Sequence, residues 1–179
     1  MAASTLILSA LLFAAAIASG AAGANTALDD VCALLGGYYV TPEACASALC
    51  HDPSSSPCAA ARDAHAVAAL AARLAAANAT AARDSVRAAA AGEGAAAKKA
   101  GLLSCLQLYT GAAAALEWAA GSVAAGRYPG AREVLQAAQY VPSGCDGMAT
   151  GAAMPAENGG FDMMVTVAHA VVASLSKGY

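Results

Sequence analysis

Alanine makes up about a third of the chain, and larger apolar side chains recur among the alanines at intervals of three and four residues. Alanine is the strongest helix former and a weak strand former, so this composition excludes an all-β sandwich or barrel. Spacing of three and four places side chains on one face of an α-helix. The 179 residues are enough for one domain. The sequence therefore predicts an all-α domain whose small residues let the helices approach closely.

The first residues have the pattern of an export signal. Residues 1–23 carry no charged side chain and contain an apolar run from Leu6 to Ile17, followed by small residues up to Ala24. This pattern is typical of a secretory signal peptide, whereas a membrane anchor needs about 20 apolar residues and a basic flank. We predict a signal peptide over residues 1–24 and a mature domain over 25–179 that is secreted, extracellular and free of the membrane.

Glycine- and proline-rich segments divide the mature chain into helices. Residues 25–50 are expected to form a short helical hairpin, and Ser55 or Ser56 to cap the helix after the loop at 51–57. Long helices are predicted over residues 59–91, 95–125 and 131–148, and a last one after a flexible connection at 151–160. Proline lacks an N–H group, so Pro142 should kink or interrupt the third helix. The expected architecture is an up-and-down four-helix bundle over residues 54–177.

Each predicted long helix has an apolar stripe that should face the core. The stripe residues are Val67, Leu70, Leu74, Ala77 and Ala81; Leu102, Cys105, Tyr109, Ala112, Leu116, Ala119 and Val123; Val134, Ala138, Val141, Cys145 and Met148; and Phe161, Met164, Ala168, Val171 and Leu175.

All six cysteines follow the predicted cleavage site, and an even count in an exported chain predicts disulfides. Cys105 and Cys145 fall on core-facing positions at comparable heights of antiparallel helices, so a bridge between them is geometrically reasonable. Among the 15 pairings that six cysteines allow, the sequential one is favoured. It adds Cys32–Cys45 within the hairpin and Cys50–Cys58 across the proline-rich loop. Another partner for Cys50 or Cys58 stays open.

The order of these features resembles the plant invertase and pectin methylesterase inhibitor family over the whole mature chain. The stretches that carry the resemblance are Tyr-Val-Thr-Pro-Glu-Ala-Cys at 39–45 leading to Leu49, Asp-Pro-Ser-Ser at 52–55, Asn-Ala-Thr at 78–80, Leu-Ser-Cys-Leu-Gln-Leu-Tyr at 103–109, and Gly-Cys-Asp-Gly-Met at 144–148. The resemblance implies a non-enzymatic inhibitor that forms a roughly 1:1 complex with its target. That target is an acid invertase or a pectin methylesterase of the plant cell wall (apoplast).

The resemblance also directs attention to one turn. Invertase inhibitors of the family carry Pro-Lys-Phe at a turn between bundle helices; here the comparable turn reads Gly126-Arg127-Tyr128-Pro129, with a different order around the proline. Pectin methylesterase inhibitors typically show a Ser-Ala-Ala-Leu-Thr-like run in the third helix, whereas residues 135–139 read Leu-Gln-Ala-Ala-Gln. The residues after Cys105 and the wide gap from Cys32 to Cys45 are most similar to the subgroup labelled as invertase inhibitors by similarity.

Arg127, Tyr128 and Pro129 are the candidate target-binding residues, since arginine and tyrosine are favoured at binding hot spots. The alternative for Tyr128 is that it packs the turn onto the bundle. The alternative is that the chain is a non-inhibitory secreted helical-bundle protein, namely a storage protein, a carrier protein or an allergen-like protein.

Nothing in the sequence favours catalysis. The three histidines, His51, His65 and His169, lie in different predicted elements, although a hydrolase must bring a nucleophile and a base together. No phosphate-binding or dinucleotide-binding motif occurs, and no Cys-x2-Cys pair, so neither a cofactor nor a metal is predicted. A net charge of -3 gives no reason to expect nucleic-acid binding. The sequon Asn-Ala-Thr makes Asn78 a candidate glycosylation site.

Overall fold

A computed structural model describes residues 26–35, 40–52 and 55–176. The predicted signal peptide and the connection between the two predicted hairpin helices, which contains Gly36 and Gly37, lie outside the described residues. Within them the chain forms eight helices: α1 (Ala27–Leu34), α2 (Pro42–Leu49), α3 (Ser56–Ala60), α4 (Ala64–Gly92), α5 (Ala96–Ala124), α6 (Tyr128–Ala138), α7 (Tyr140–Met148) and α8 (Ala156–Ser176). The prediction of an all-α fold is confirmed.

Helices α1 and α2 form the N-terminal hairpin. Thr26 and Asp29 make a capping box at α1: the Thr26 hydroxyl accepts from the Asp29 N–H at 3.2 Å, and the Asp29 carboxylate accepts from the Thr26 N–H at 3.0 Å. The Thr41 hydroxyl caps α2 by accepting from the Ala44 N–H at 3.2 Å. The Cys32–Cys45 disulfide links the two helices with Cα atoms 5.6 Å apart. These caps satisfy N–H groups that short helices would otherwise leave without a partner.

The long helices form the bundle, in which α4 and α6 each pack against both α5 and α8. Its core holds large side chains with less than 2% exposure: Tyr109, Phe161, Leu102, Leu116, Leu135, Val67, Val86, Val123, Val165, Val167, Val171 and Val172. Alanines fill the space between them, above all along α4. The apolar stripes predicted for α5 and α8 are largely those that the bundle buries.

The first and third long helices begin differently from the prediction. A separate short helix, α3, takes up residues 56–60, and α4 begins only at Ala64, where the Asp63 carboxylate accepts from the Ala66 N–H at 2.7 Å. Ser55 occupies the N-cap of α3 but makes no side-chain capping bond. The third long helix begins at Tyr128, three residues earlier than expected.

The third long helix is interrupted at Gln139 and not at Pro142 itself. Pro142 is buried in the first turn of α7, where its missing N–H group needs no helical partner. Its ring would collide with a helical carbonyl four residues earlier, so the chain breaks before the proline and divides into α6 and α7.

Two predicted core positions of α4 are wrong. Ala77 and Ala81 are exposed, and the buried stripe instead passes through Ala75, Ala79 and Ala82. Both faces of this part of α4 are rich in alanine, so residue type alone does not distinguish them.

Helix α8 begins at Ala156, so the segment expected to be a flexible connection is helical from that residue onwards. By length and composition α8 is apolar enough to cross a membrane. In the structure its apolar residues instead pack into the bundle, and Phe161, Val165 and Val171 are fully buried. Its hydropathy is therefore that of a core helix.

Two further disulfides staple the chain in the sequential pairing that the sequence favours. Cys50–Cys58 spans the proline-rich loop with Cα atoms 5.8 Å apart, and Cys105–Cys145 joins α5 to α7 with Cα atoms 4.9 Å apart. The Cys105–Cys145 bridge closes a loop of 40 residues and holds the short helix α7 against the bundle.

Candidate functional site

The turn between α5 and α6 has a fixed backbone. Gly126 adopts φ 74°, a left-handed conformation that glycine takes without a steric cost. The Gly126 N–H donates to the Val123 carbonyl and the Arg127 N–H to the Ser122 carbonyl, both at 2.9 Å. This pair of bonds is the Schellman arrangement, which satisfies the last carbonyls of α5. The turn therefore holds the start of α6 in one position relative to α5.

Tyr128, the first residue of α6, packs this turn onto the bundle. Its side chain is only 4% exposed, and its hydroxyl lies 2.7 Å from Nδ1 of His65 in the first turn of α4. The two rings also meet edge to face, with centroids 6.1 Å apart. The role expected for Tyr128 as a direct binding anchor does not fit this burial. The Tyr128 ring lies against α4 and is covered in the folded bundle. The burial therefore fits the alternative role, in which Tyr128 packs the turn onto the bundle.

Arg127 and Pro129 are exposed on either side of the buried tyrosine. The Arg127 side chain makes no hydrogen bond or ion pair with any residue that the structure describes. Pro129 lies in the first turn of α6, where its fixed φ favours helix initiation. The turn thus presents one arginine and one proline to solvent from a backbone held at both ends.

An exposed tryptophan extends this surface, although no sequence pattern points to it. Trp118 lies on α5 with 56% of its side chain exposed. A Cβ added to Gly130 would lie 3.2 Å from Cη2 of Trp118, so the indole ring lies across this glycine. We refer to Trp118, Arg127, Pro129 and Gly130 as the turn surface.

A buried polar network at the other end of the bundle was also not predicted from the sequence. The Tyr109 hydroxyl donates to the Asn158 side-chain oxygen at 2.7 Å, and the Asn158 amide donates to the Asp146 carboxylate at 3.0 Å. Phe161 meets the Tyr109 ring edge to face, with centroids 5.4 Å apart. Burial raises the pKa of the Tyr109 hydroxyl well above its ordinary value. The network joins α5, α7 and α8 and keeps a proton on Tyr109, which is a structural role.

The sequon residue Asn78 lies in the middle of α4. Its side chain is half-buried, and its amide donates to the Leu74 carbonyl one turn earlier at 2.9 Å. In the folded protein the amide nitrogen that a glycan would modify is therefore engaged with the helix backbone.

The histidines are not brought together. His51 is exposed in the loop after α2, His65 bonds to Tyr128, and His169 lies on α8, where burial and the nearby Arg132 charge lower its pKa. Among the described residues, no group of three or more histidine, cysteine or acidic side chains could hold a metal ion. All six cysteines are in disulfides.

These features define a disulfide-stapled helical bundle that presents a rigid turn. The sequence model of the plant invertase/pectin methylesterase inhibitor family matches residues 26–174, and the chain belongs to this family. No similar curated protein and no similar solved structure was found. Family members are extracellular inhibitors of pectin methylesterase or invertase and are not enzymes, and this protein is accordingly not an enzyme.

Proposed function

We propose that this protein is a secreted inhibitor that binds a pectin methylesterase or an acid invertase of the plant cell wall in a roughly 1:1 complex and blocks its active-site cleft. The observation that carries the proposal is Arg127, an exposed arginine without a side-chain partner among the described residues, on a turn whose backbone is fixed. Membership of the inhibitor family supports it.

A fixed turn favours tight binding because little conformational freedom is lost when the complex forms. Three contacts hold this turn: the two Schellman bonds to α5 and the bond between Tyr128 and His65. Arg127 lies between the two anchoring points, so its backbone is already positioned before any enzyme arrives.

The turn surface also has the residue types that binding hot spots favour. Tryptophan and arginine are enriched there, and Trp118 exposes more than half of its side chain beside the turn. A cation at the tip suits a cleft lined by carboxylates, such as the acidic pair that flanks the bond cleaved by a glycoside hydrolase. We propose Arg127 as the charged contact and Trp118 with Pro129 as the apolar ones.

Secretion and glycosylation belong to the same proposal. Three disulfides in so small a domain fit an oxidising extracellular compartment. If Asn78 carries a glycan, attachment precedes the folding of α4, because the folded helix engages the amide. A fall in mass after enzymatic deglycosylation of the secreted protein would establish that modification, and an unchanged mass would exclude it.

The target is identified by titrating the oxidised protein against each enzyme separately, at acidic and at neutral pH. Loss of sucrose hydrolysis near equimolar ratio assigns the protein to invertase, and loss of pectin demethylation assigns it to pectin methylesterase. Unchanged rates of both enzymes would refute the inhibitor function.

A further inference from the structure

A cavity of about 510 Å³ lies beside α8, separate from the turn surface. Gln139 at the end of α6, together with Asp162, Thr166 and His169 on α8, supplies its polar side chains. The last turn of α1 supplies an apolar wall made of Leu34 and Leu35. Cavities of this volume are typical of sites for small molecules. We refer to it as the α8 cavity.

The polar side chains of α8 lie together because of their spacing. Asp162, Thr166 and His169 are four and three residues apart, so they share one face of the helix. The buried stripe through Phe161 and Val165 occupies a different face of α8. One surface of this core helix therefore presents a carboxylate, a hydroxyl and an imidazole, and an amide from α6 completes the set.

These four polar side chains have no partners within the protein. None of them makes a hydrogen bond or an ion pair with any residue that the structure describes. Other helix hydroxyls bond back to a carbonyl of the preceding turn, as at Ser104, Thr110 and Ser174, but the Thr166 hydroxyl does not. The donors and acceptors at the α8 cavity therefore remain open to a ligand.

The imidazole of the cavity is kept neutral. Burial and the charge of Arg132 lower the pKa of His169, so at neutral pH the ring has one donor and one acceptor nitrogen. Arg132 lies seven residues before Gln139 on the same face of α6, and its buried Nε atom has no hydrogen-bond partner among the described residues. A positive charge that disfavours protonation of His169 also disfavours a cationic ligand beside it.

An anionic ligand is disfavoured as well. Among the described residues that line the α8 cavity, Asp162 is the one that carries a full charge, and none is a lysine or an arginine. An anion would therefore meet a carboxylate with no cation in the lining to offset the repulsion. The two charge arguments together select a ligand without net charge.

We infer that the α8 cavity binds a neutral mono- or disaccharide. Each sugar hydroxyl both donates and accepts a hydrogen bond, and the carboxylate, amide, hydroxyl and neutral imidazole of the cavity together offer both functions. The C–H face of a sugar ring can pack against Leu34, which exposes 73% of its surface. A wholly apolar ligand would cover the polar groups without pairing them, which costs free energy.

The inferred sugar site goes beyond enzyme inhibition. Arg127 precedes α6 and Gln139 follows it, so the turn surface and the α8 cavity lie about 18 Å apart along this helix. Sugar binding is also measured without any enzyme. The site therefore does not depend on the proposed inhibitor function, and either can fail while the other holds.

The test follows amide NMR signals of the oxidised protein as glucose, maltose, glucuronate or putrescine is added. Glucuronate differs from glucose only by its carboxylate, and putrescine represents a small cation. The cavity variant Asp162→Asn/Thr166→Val nearly keeps the side-chain shapes and removes one charge and one hydroxyl. Its matched control, Glu117→Gln/Thr110→Val, makes the same kind of change at exposed positions of α5. Circular dichroism verifies that both variants fold.

We expect glucose or maltose to shift the amide signals of residues 162–173, with a dissociation constant of about 1 mM. Glucuronate and putrescine should bind at least about tenfold more weakly, because each adds a charge that the cavity disfavours. The cavity variant should lose about tenfold in sugar affinity, since it weakens one hydrogen bond and removes another. The control variant should bind as wild type does.

Three results would overturn the inference. The first is the absence of signal shifts on α8 with both sugars up to about 50 mM, well above the expected dissociation constant. The second is binding of glucuronate or putrescine as tight as that of the sugars. The third is sugar affinity that is equal in the cavity and control variants, because the polar side chains of α8 would then not hold the ligand.

Discussion

The Nδ1 atom of His65 lies 2.7 Å from the Tyr128 hydroxyl and so joins the first turn of α4 to the first residue of α6. Neither residue is close to the other in the sequence, and their contact exists only in the folded bundle. This contact holds the α6 side of the turn that exposes Arg127. The free energy of unfolding and the strength of inhibition should therefore both depend on the contact between His65 and Tyr128.

Tyr128→Phe removes only the hydroxyl. We expect the free energy of unfolding to fall by about 1 kcal/mol, the usual contribution of one partly buried hydrogen bond, and inhibition to weaken because the turn is held less firmly. Urea unfolding and inhibition assays measure the two effects. Tyr140→Phe serves as the control, since Tyr140 is 71% exposed. Equal stability of wild type and Tyr128→Phe would show that the bond has no net role.

Arg127→Ala tests the charged contact of the turn surface. Because the side chain is exposed and has no partner among the described residues, unfolding should change by no more than about 0.5 kcal/mol. Inhibition should weaken by about 2 kcal/mol, or roughly thirtyfold, as for a binding hot spot. Arg87→Ala removes an equal charge elsewhere and should keep full potency. An Arg127→Ala protein that inhibits as well as wild type contradicts the assigned contact.

The disulfides should contribute unequally to stability. In the chain-entropy model the loop of 40 residues closed by Cys105–Cys145 corresponds to about 4 kcal/mol, and the loop of 8 closed by Cys50–Cys58 to about 2.5 kcal/mol. Urea unfolding of the two paired Cys→Ala variants checks the order. A larger loss on removing Cys50–Cys58 would mean that strain or local packing, and not loop entropy, decides their contributions.

Two glycines of α5 should respond to alanine in opposite directions. A Cβ at Gly101 would overlap the carbonyl oxygen of Met148, because the end of α7 approaches α5 closely there. Gly101→Ala should therefore destabilise the protein by about 1–3 kcal/mol. A Cβ at Gly111 meets nothing within 4 Å, so Gly111→Ala should stabilise the helix by about 0.5–1 kcal/mol. Thermal unfolding distinguishes these outcomes, and a neutral Gly101→Ala variant would contradict the close approach.

The free energy of unfolding should fall on acidification, and His169 should cause part of this fall. Burial and the Arg132 charge lower the pKa of its imidazole from 6.5 in the folded state, so the unfolded chain binds the proton more readily. The contribution of neutral His169 to the free energy of unfolding is therefore full above about pH 6.5 and is lost as the pH falls towards the lower folded-state pKa. His169→Gln should show a smaller loss of unfolding free energy between neutral and acidic pH. The exposed His51 provides the control, and identical pH dependence of His169→Gln and wild type would disprove the linkage.

The sequence predicts the parts of the fold in which large side chains mark the buried face. On α5, Leu102, Tyr109 and Leu116 identify the core stripe correctly. On α4 the prediction fails at Ala77 and Ala81, because a helix with alanine on several faces has no preferred orientation until its neighbours are in place. The alanine-rich sequence predicts that this part of α4 is helical, but packing against the neighbouring helices decides which face of the helix is buried.

At the candidate site, too, the sequence predicts local features but not the contacts between helices. Arg127 is found from the sequence because a turn signal surrounds it, but the burial of Tyr128 depends on His65, 63 positions away. The exposure of Trp118 likewise depends on how α6 crosses α5. Contacts between helices have no signature within a short stretch of sequence, so burial and partners at the site could not be predicted.

Stoichiometric titration is the most direct test of the inhibitor function. Pectin methylesterase or acid invertase is held well above the dissociation constant, and the residual rate is followed as oxidised protein is added. We predict that the rate of one of the two enzymes falls linearly to zero near one inhibitor per enzyme, and that the roughly thirtyfold weaker binding of Arg127→Ala makes the curve rounded at the same enzyme concentration. Rates of both enzymes that stay constant past a large molar excess would contradict the account.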